Sequence, residues 1–337
     1  MSGPHGTLVG MSAPTPTPVA QRRRPSGLLL VALAGIAWGT IGPAVQLAHQ
    51  ASGLSPSMLG SYRAAAAAFV LLVAAAVAGR LRECWVLGRV HARPALAVGS
   101  LTAAFQFFFF LAVVWAGVSV GTVIALGLAP MLLLVLKALR SRAFPRLGEL
   151  ATVAVALTGL LLVSLAGTEV SAAPHPVPGI IAALISGTAF ALATDAAVPL
   201  SRVLDPFALT VITMIVAAAC LVPAGLVVAW VNAEPLGTTD TGSWLMIIYL
   251  GVVTMALAYG LLYAGLRTTS SANAVVATLL EPATAVLIAV LFLGDKPTVA
   301  SSIGFFLIIA AIATLGRRPK RQVAGGTPDE VIVPGSD

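Results

Sequence analysis

The chain has 337 residues, 58% of them hydrophobic and only 9% charged, with a mean hydropathy of +1.00. Soluble domains run at roughly 45–50% apolar and about 25% charged, so a water-soluble fold is excluded. A membrane helix needs roughly 20 apolar residues; ten of them would take up most of the chain and leave no room for a sizeable soluble domain.

Residues 1–26 are rich in Pro, Ser, Thr and Gly and end in Arg22-Arg23-Arg24, a composition that reads as a disordered basic tail. The first apolar run, 27–48, starts too far from Met1 and is too long for a signal peptide, so it reads as an uncleaved first span. Nine more runs follow at 56–79, 94–115, 119–139, 147–167, 178–200, 206–230, 242–265, 271–293 and 298–315, with residues 317–337 as a second disordered tail. Their breaks hold charge, Pro or Gly. Runs such as Leu132-Leu133-Leu134-Val135-Leu136 lack the alternation of a barrel strand.

Ten spans place both termini on one side, and the charges choose it. With the tails and even-numbered loops on the cytoplasmic side, 17 of the 19 basic residues fall there, among them Arg80, Arg82, Arg89, Lys137, Arg140 and Arg202. The other side keeps Lys296 and the acids Glu169, Glu234, Asp240 and Asp295, while Arg63 lies within a span. This bias gives N-in, C-in topology. It also explains the net charge of +7, which in a soluble protein would suggest nucleic acid; no nucleic-acid partner is expected. Cys84 and Cys220 show no metal or redox spacing and read as thiols in apolar surroundings.

Shifting the chain by 152 residues lays Gly27 on Gly179, Gly35 on Gly187, Trp38 on Phe190, Pro130 on Pro282 and Pro145 on Pro297. Each half, 27–167 and 178–316, then holds five helices, joined by an extracytoplasmic linker at 168–177. Five is odd, so the second half enters the membrane upside down. Inverted repeats are characteristic of secondary transporters, whose substrate sits near the midplane between the halves.

Several segments carry a resemblance. They are Ala37-Trp38-Gly39-Thr40 in the first span, Pro56 followed by Arg63 in the second, Leu279-Leu280-Glu281-Pro282 in the ninth, and Leu293-Gly294-Asp295 with Gly304 beyond it. In these the chain resembles the drug/metabolite transporter superfamily, specifically its EamA-type members, over about 27–316. The resemblance implies an all-α membrane fold of ten helices, two inverted five-helix repeats around a central cavity, and transport, commonly export, of small metabolites. The chain departs from the family's pattern where Asp295 stands in place of the usual Glu, and where the first repeat has Arg142 and Ala143 at the matching positions.

Ionisable residues within spans are costly, at about 2.5–3.5 kcal/mol each at the bilayer centre on insertion scales. Glu281 lies near the midplane of the ninth span, where desolvation favours a neutral carboxyl. It reads either as a substrate or proton-coupling group, or as a hydrogen-bonded brace at the Pro282 break. Pro130 and Pro282, each removing a backbone donor, suggest kinks at matched depth in gating helices. Arg63 is expected to snorkel to the outer interface, the alternative being an outer vestibule that attracts carboxylates or other anions. Asp195 is expected near the cytoplasmic end, meeting water or an Arg such as Arg202. Gln106 needs a hydrogen-bond partner, either substrate or a neighbouring helix. Trp38 reads as packing or as a stacking wall. Tyr259 is placed deeper toward the cytoplasm, Asn273 near the start of the ninth span, and the run Phe107–Phe110 carries no functional reading.

Glycines such as Gly35, Gly39, Gly42 and Gly187 read as points of close helix approach; a homodimer through one of their faces is an open alternative. The sequence has no P-loop, no zinc-protease helix, no nucleophile elbow and no paired acids to hold magnesium, so no cofactor is expected. The reading is a secondary transporter of the bacterial inner (plasma) membrane, embedded in the lipid bilayer and moving small molecules such as amino acids or amphiphilic drugs. A membrane-embedded enzyme acting on a lipid-linked substrate is the alternative.

Overall fold

A computed structural model describes residues 26–165, 174–292 and 297–317. The two tails, most of the linker and Asp295 with Lys296 lie outside the described residues, as does the Leu293-Gly294-Asp295 motif. Every regular element among the described residues is a helix, and ten helical segments are long and apolar enough to cross a membrane. They are Gly27–Ser52, Pro56–Val77, Ala92–Ala116, Val118–Ser141, Leu147–Leu165, Pro176–Val203, Pro206–Val231, Thr241–Leu266, Ser271–Phe292 and Val299–Gly316.

The starts of these spans follow from local chemistry. Ser55 and Asp205 each precede a proline at the first helical position, and each side chain accepts from a backbone N–H three residues on, Met58 N and Ala208 N. Proline needs no donor there, and the cap satisfies one of the orphan amides. Asp240 and Ser270 cap the eighth and ninth spans in the same way. The stretch after the second span is not a plain loop. Leu81–Val90 forms a short helix that buries Cys84 and exposes Trp85 and Val90. Arg80 ties it to the seventh span through ion pairs with Glu83 at 2.8 Å and Asp205 at 3.0 Å.

The tertiary contacts carry the repeat symmetry. The first span packs on the eighth and ninth, and correspondingly the sixth packs on the third and fourth. The second touches the eighth as the seventh touches the third, while the pairs second–seventh, fourth–ninth and fifth–tenth map onto themselves. Most of the packing therefore crosses between the halves, which interdigitate. Close approach at glycine makes this possible. A Cβ at Gly35 would meet the Ala277 carbonyl at 3.2 Å, and one at Gly187 would meet the Ala125 carbonyl at 2.5 Å. Ala125 and Ala277 are themselves 152 residues apart, so both contacts belong to one repeated joint.

Three spans depart from the α-helix near their middles. The first breaks at Thr40, between Gly27–Gly39 and Ile41–Ser52. The eighth widens into a π segment at Leu250–Leu257. The ninth breaks at Leu279, between Ser271–Thr278 and the helix that begins at Leu280. Irregular backbone at membrane depth is tolerated where protein or a watered cavity covers it, and π segments occur often at functional sites. The two prolines expected to kink matched helices lie in different local settings. Pro282 follows the interruption at Leu279, whereas the helix Val118–Ser141 runs on through Pro130.

Candidate functional site

The three irregular segments converge on one cavity of about 30 Å³, lined by Trp38, Ile41, Arg63, Phe105, Gln106, Phe109, Phe110, Tyr259 and Glu281. It holds a water or two, against roughly 300–1,000 Å³ for ordinary ligand pockets. A metabolite fits only when the surrounding helices separate. Trp38, Arg63 and Gln106 come from the first repeat, and Tyr259 and Glu281 from the second.

Each side chain is placed by a local feature. Trp38 Nε1 donates to the carbonyl of Thr254, within the π segment, at 2.8 Å. That bond holds the indole edge-on to Tyr259, with ring centroids 5.1 Å apart, and to Phe190 at 6.2 Å. Phe190 in turn stacks on Phe105 at 4.6 Å. Trp38 is thus both packing residue and cavity wall, and its repeat mate Phe190 backs it. At the Thr40 break, the Thr40 hydroxyl donates to the Ala37 carbonyl at 2.8 Å and accepts from the Tyr249 hydroxyl at 2.9 Å.

Arg63 does not snorkel to an interface. It is 3% exposed, lies over the Phe110 ring at 5.8 Å, and donates through Nη2 to Gln106 Oε1. The second span is packed on the seventh and eighth, with a Cβ at Gly251 of the eighth falling 2.9 Å from the Arg63 carbonyl, so the side chain turns into the cavity instead of along the lipid. Gln106, 3% exposed, therefore finds its partner on a neighbouring helix. Arg63 Nε and Nη1 and Gln106 Nε2 have no hydrogen-bond partner among the described residues. Glu281 is half-buried on the same cavity but forms no ion pair with Arg63 within 4 Å among the described residues. Tyr259, expected deeper, shares this level through its contact with Trp38.

Two of the candidates lie elsewhere. Asp195 pairs with Arg140 at 2.6 Å, not with Arg202, and accepts from the Ser271 hydroxyl at 2.9 Å. It joins the fourth, sixth and ninth spans at the end that carries Lys137. Asn273 lines a second small hollow at that end, with Lys137, Glu149, Thr152 and Ser270; Lys137 bonds Glu149 there at 2.6 Å. Neither reaches the central cavity.

The sequence reading missed the phenylalanines. Gln106, Phe109 and Phe110 stand at i, i+3 and i+4, one face of a helix, and all three line the cavity. Once Gln106 is taken to face inward, that spacing marks Phe109 and Phe110 as its neighbours on the cavity wall. Thr254 carried no sequence signal, because a π segment cannot be read from an apolar run.

Comparison with known proteins agrees with this architecture. A solved crystal structure, described in no more detail than that of a protein, shares the fold with a TM-score of 0.67 at 20% identity, covering 87% of this chain and 99% of the other. The transporter YwfM of Bacillus subtilis (strain 168), described as uncharacterized, is 27% identical over 302 residues, 87% of this chain and 95% of its own. YxxF of the same organism, likewise described as an uncharacterized transporter, is 24% identical over 208 residues, 61% of this chain and 65% of its own. These names point to transport rather than catalysis. The model of the EamA-like transporter family matches twice, at residues 25–165 and 177–317. With ten apolar helices in two matched repeats, the chain is a multi-pass membrane protein and belongs to the EamA-like transporter family.

Proposed function

We propose that the chain is a secondary active exporter of small organic metabolites, amino acids or amphiphilic compounds, in the inner (plasma) membrane of a bacterium. The observation that carries this reading is the central cavity, whose polar groups come from both repeats and three of whose five walls are interrupted spans, the first, eighth and ninth, while the second and third are continuous. Helices with ready-made breaks can bend without losing a continuous hydrogen-bond ladder. Two inverted halves give inward-open and outward-open arrangements of similar energy, the requirement for alternating access. Both termini lie in the cytoplasm, together with the end carrying Lys137, Arg140 and Asp195, in keeping with the positive-inside bias.

Glu281 serves as the proton-exchanging group. It is the acid on the cavity wall, and no ion pair holds it charged there among the described residues. The test compares extracellular metabolites of cells expressing the protein with cells expressing Glu281→Ala at equal membrane levels. Accumulation of one compound class outside only with the wild type supports export through this cavity. Equal profiles, together with equal uptake in both strains, overturn it. Proton coupling fails if Glu281→Gln keeps the pH dependence of the wild type.

A further inference from the structure

We propose that Arg63 and Gln106 form a seat for a carboxylate on the transported molecule, whose apolar body lies against Phe105, Phe109, Phe110 and Trp38. The proposal rests on the reading of the cavity as the transport path and names the chemistry it selects.

The Gln106 oxygen already accepts from Arg63 Nη2, and the amide nitrogen is buried on the same cavity lining without a geometric hydrogen bond among the described residues. Arg63 Nε and Nη1 are buried beside it without partners among the described residues. The pair therefore presents several donors and no acceptor. Buried donors are nearly always satisfied, so unpartnered ones on two residues that line a hollow match a ligand that accepts. A guanidinium fork fits the two oxygens of a carboxylate in a bidentate pair. A cationic or purely donating molecule would leave these groups orphaned and meet a like charge.

The remaining walls set the rest of the specificity. Glu281 shares the cavity yet forms no ion pair with Arg63 within 4 Å among the described residues, so the fork is open to a ligand. One guanidinium balances one negative charge. With Glu281 carrying its proton, a monocarboxylate leaves the cavity neutral, whereas a phosphate dianion would bring a second, unbalanced charge into surroundings of low dielectric. That favours a monocarboxylate over a phosphate ester. Beyond Arg63, Gln106, Tyr259 and Glu281, the lining is the rings of Phe105, Phe109, Phe110 and Trp38 with Ile41, which favours an apolar body beyond the carboxylate. Glu281 is left for a proton or for a donor elsewhere on the same molecule.

The test uses the purified full-length protein in lipid nanodiscs and titrates three probes with the same phenylpropyl body: 3-phenylpropanoate, 3-phenylpropanamide and 3-phenylpropyl phosphate. Losing the charge-assisted bonds weakens binding by about 10- to 100-fold, so the carboxylate should bind tightest and the amide at least about tenfold more weakly. Arg63→Gln should bind acid and amide alike, and Arg63→Lys should keep part of the preference because the charge stays while the fork is lost. The acid–amide comparison on the wild type needs no variant, so a folding failure of Arg63→Gln does not blunt it. Equal affinity for acid and amide, a preference that survives Arg63→Gln, a phosphate that binds tightest, or no binding of any probe each overturns the carboxylate seat. Transport of a neutral or cationic solute that Glu281→Ala abolishes would leave the cavity reading standing while sinking this one.

Discussion

Replacing Arg63 and Gln106 together by apolar isosteres, Arg63→Met with Gln106→Leu, should stabilise the fold while ending transport. In the wild type Arg63 is 3% exposed and makes one side-chain hydrogen bond, to Gln106, leaving three buried nitrogens of the pair unpartnered among the described residues. An unsatisfied buried donor costs about 1–3 kcal/mol. The water that a cavity of about 30 Å³ admits offsets part of this. Buried ionic groups replaced by well-packed apolar residues commonly gain about 1–4 kcal/mol, and that range is expected here. Both variants are needed, because Arg63→Met alone would strand the Gln106 oxygen. The assay is thermal unfolding of the purified protein in one detergent, with transport measured in proteoliposomes on the same preparations. A double variant that unfolds below the wild type would refute the reasoning, since it would make the pair a structural tie and not a site held ready for a ligand.

Trp38→Phe removes the donor to the Thr254 carbonyl, a buried bond of 2.8 Å; a loss of about 1–3 kcal/mol and faster amide exchange across Leu250–Leu257 are expected, and unchanged exchange would show that the π segment stands without it. Gly187→Val places a Cβ at 2.5 Å from the Ala125 carbonyl and should prevent the fourth and sixth spans from closing, whereas Gly42→Ala, with nothing within 4 Å, should stay within about 0.5 kcal/mol of the wild type; folded yield in the membrane separates the two. Asp195→Asn weakens the bond to Arg140, whose side chain is 65% exposed, so stability should change by less than about 1 kcal/mol. The same variant should loosen the junction of three spans and speed labelling of Asn273→Cys in a background lacking Cys84 and Cys220; an unchanged labelling rate would argue against a junction role. At the short helix, Arg80 holds the Glu83 carboxyl below its ordinary range, so this tie is present at neutral pH and is lost only as acid protonates the carboxylate below that range. Burial raises the Cys84 thiol, making it slow to react; its alkylation should quicken after acid release of Glu83, followed with a reagent active on neutral thiols.

Span number, repeat and family were legible because each depends on local or purely periodic information. An apolar run of the right length must be a helix in lipid, since nothing else satisfies its backbone there. Ser55-Pro56 and Asp205-Pro206 announce helix starts by the chemistry of two adjacent residues. Glu281 and Gln106 were legible as interior residues because their alternatives in hydrocarbon are costly. By contrast, the helix at Leu81–Val90 is short and carries Arg82, Glu83 and Arg89, so charge masked it as a loop. Arg63 was misplaced because its depth along the span is a one-dimensional quantity, and both lipid and cavity lie at the same depth.

The amino-acid sequence by itself determined that this chain crosses the membrane ten times as two related halves, because hydropathy, length and the 152-residue register need no knowledge of neighbours. Only the tertiary structure decided which residues meet. The spans are apolar nearly all round, so no stripe of hydrophobicity fixes how each helix is rotated about its axis. That rotation comes from cross-half contacts such as Gly35 on Ala277, where a Cβ would be crowded at 3.2 Å, and Gly187 on Ala125, where it would clash at 2.5 Å. Those contacts turn Arg63, Gln106, Tyr259 and Glu281 inward onto one cavity and send Asp195 and Asn273 to the far end.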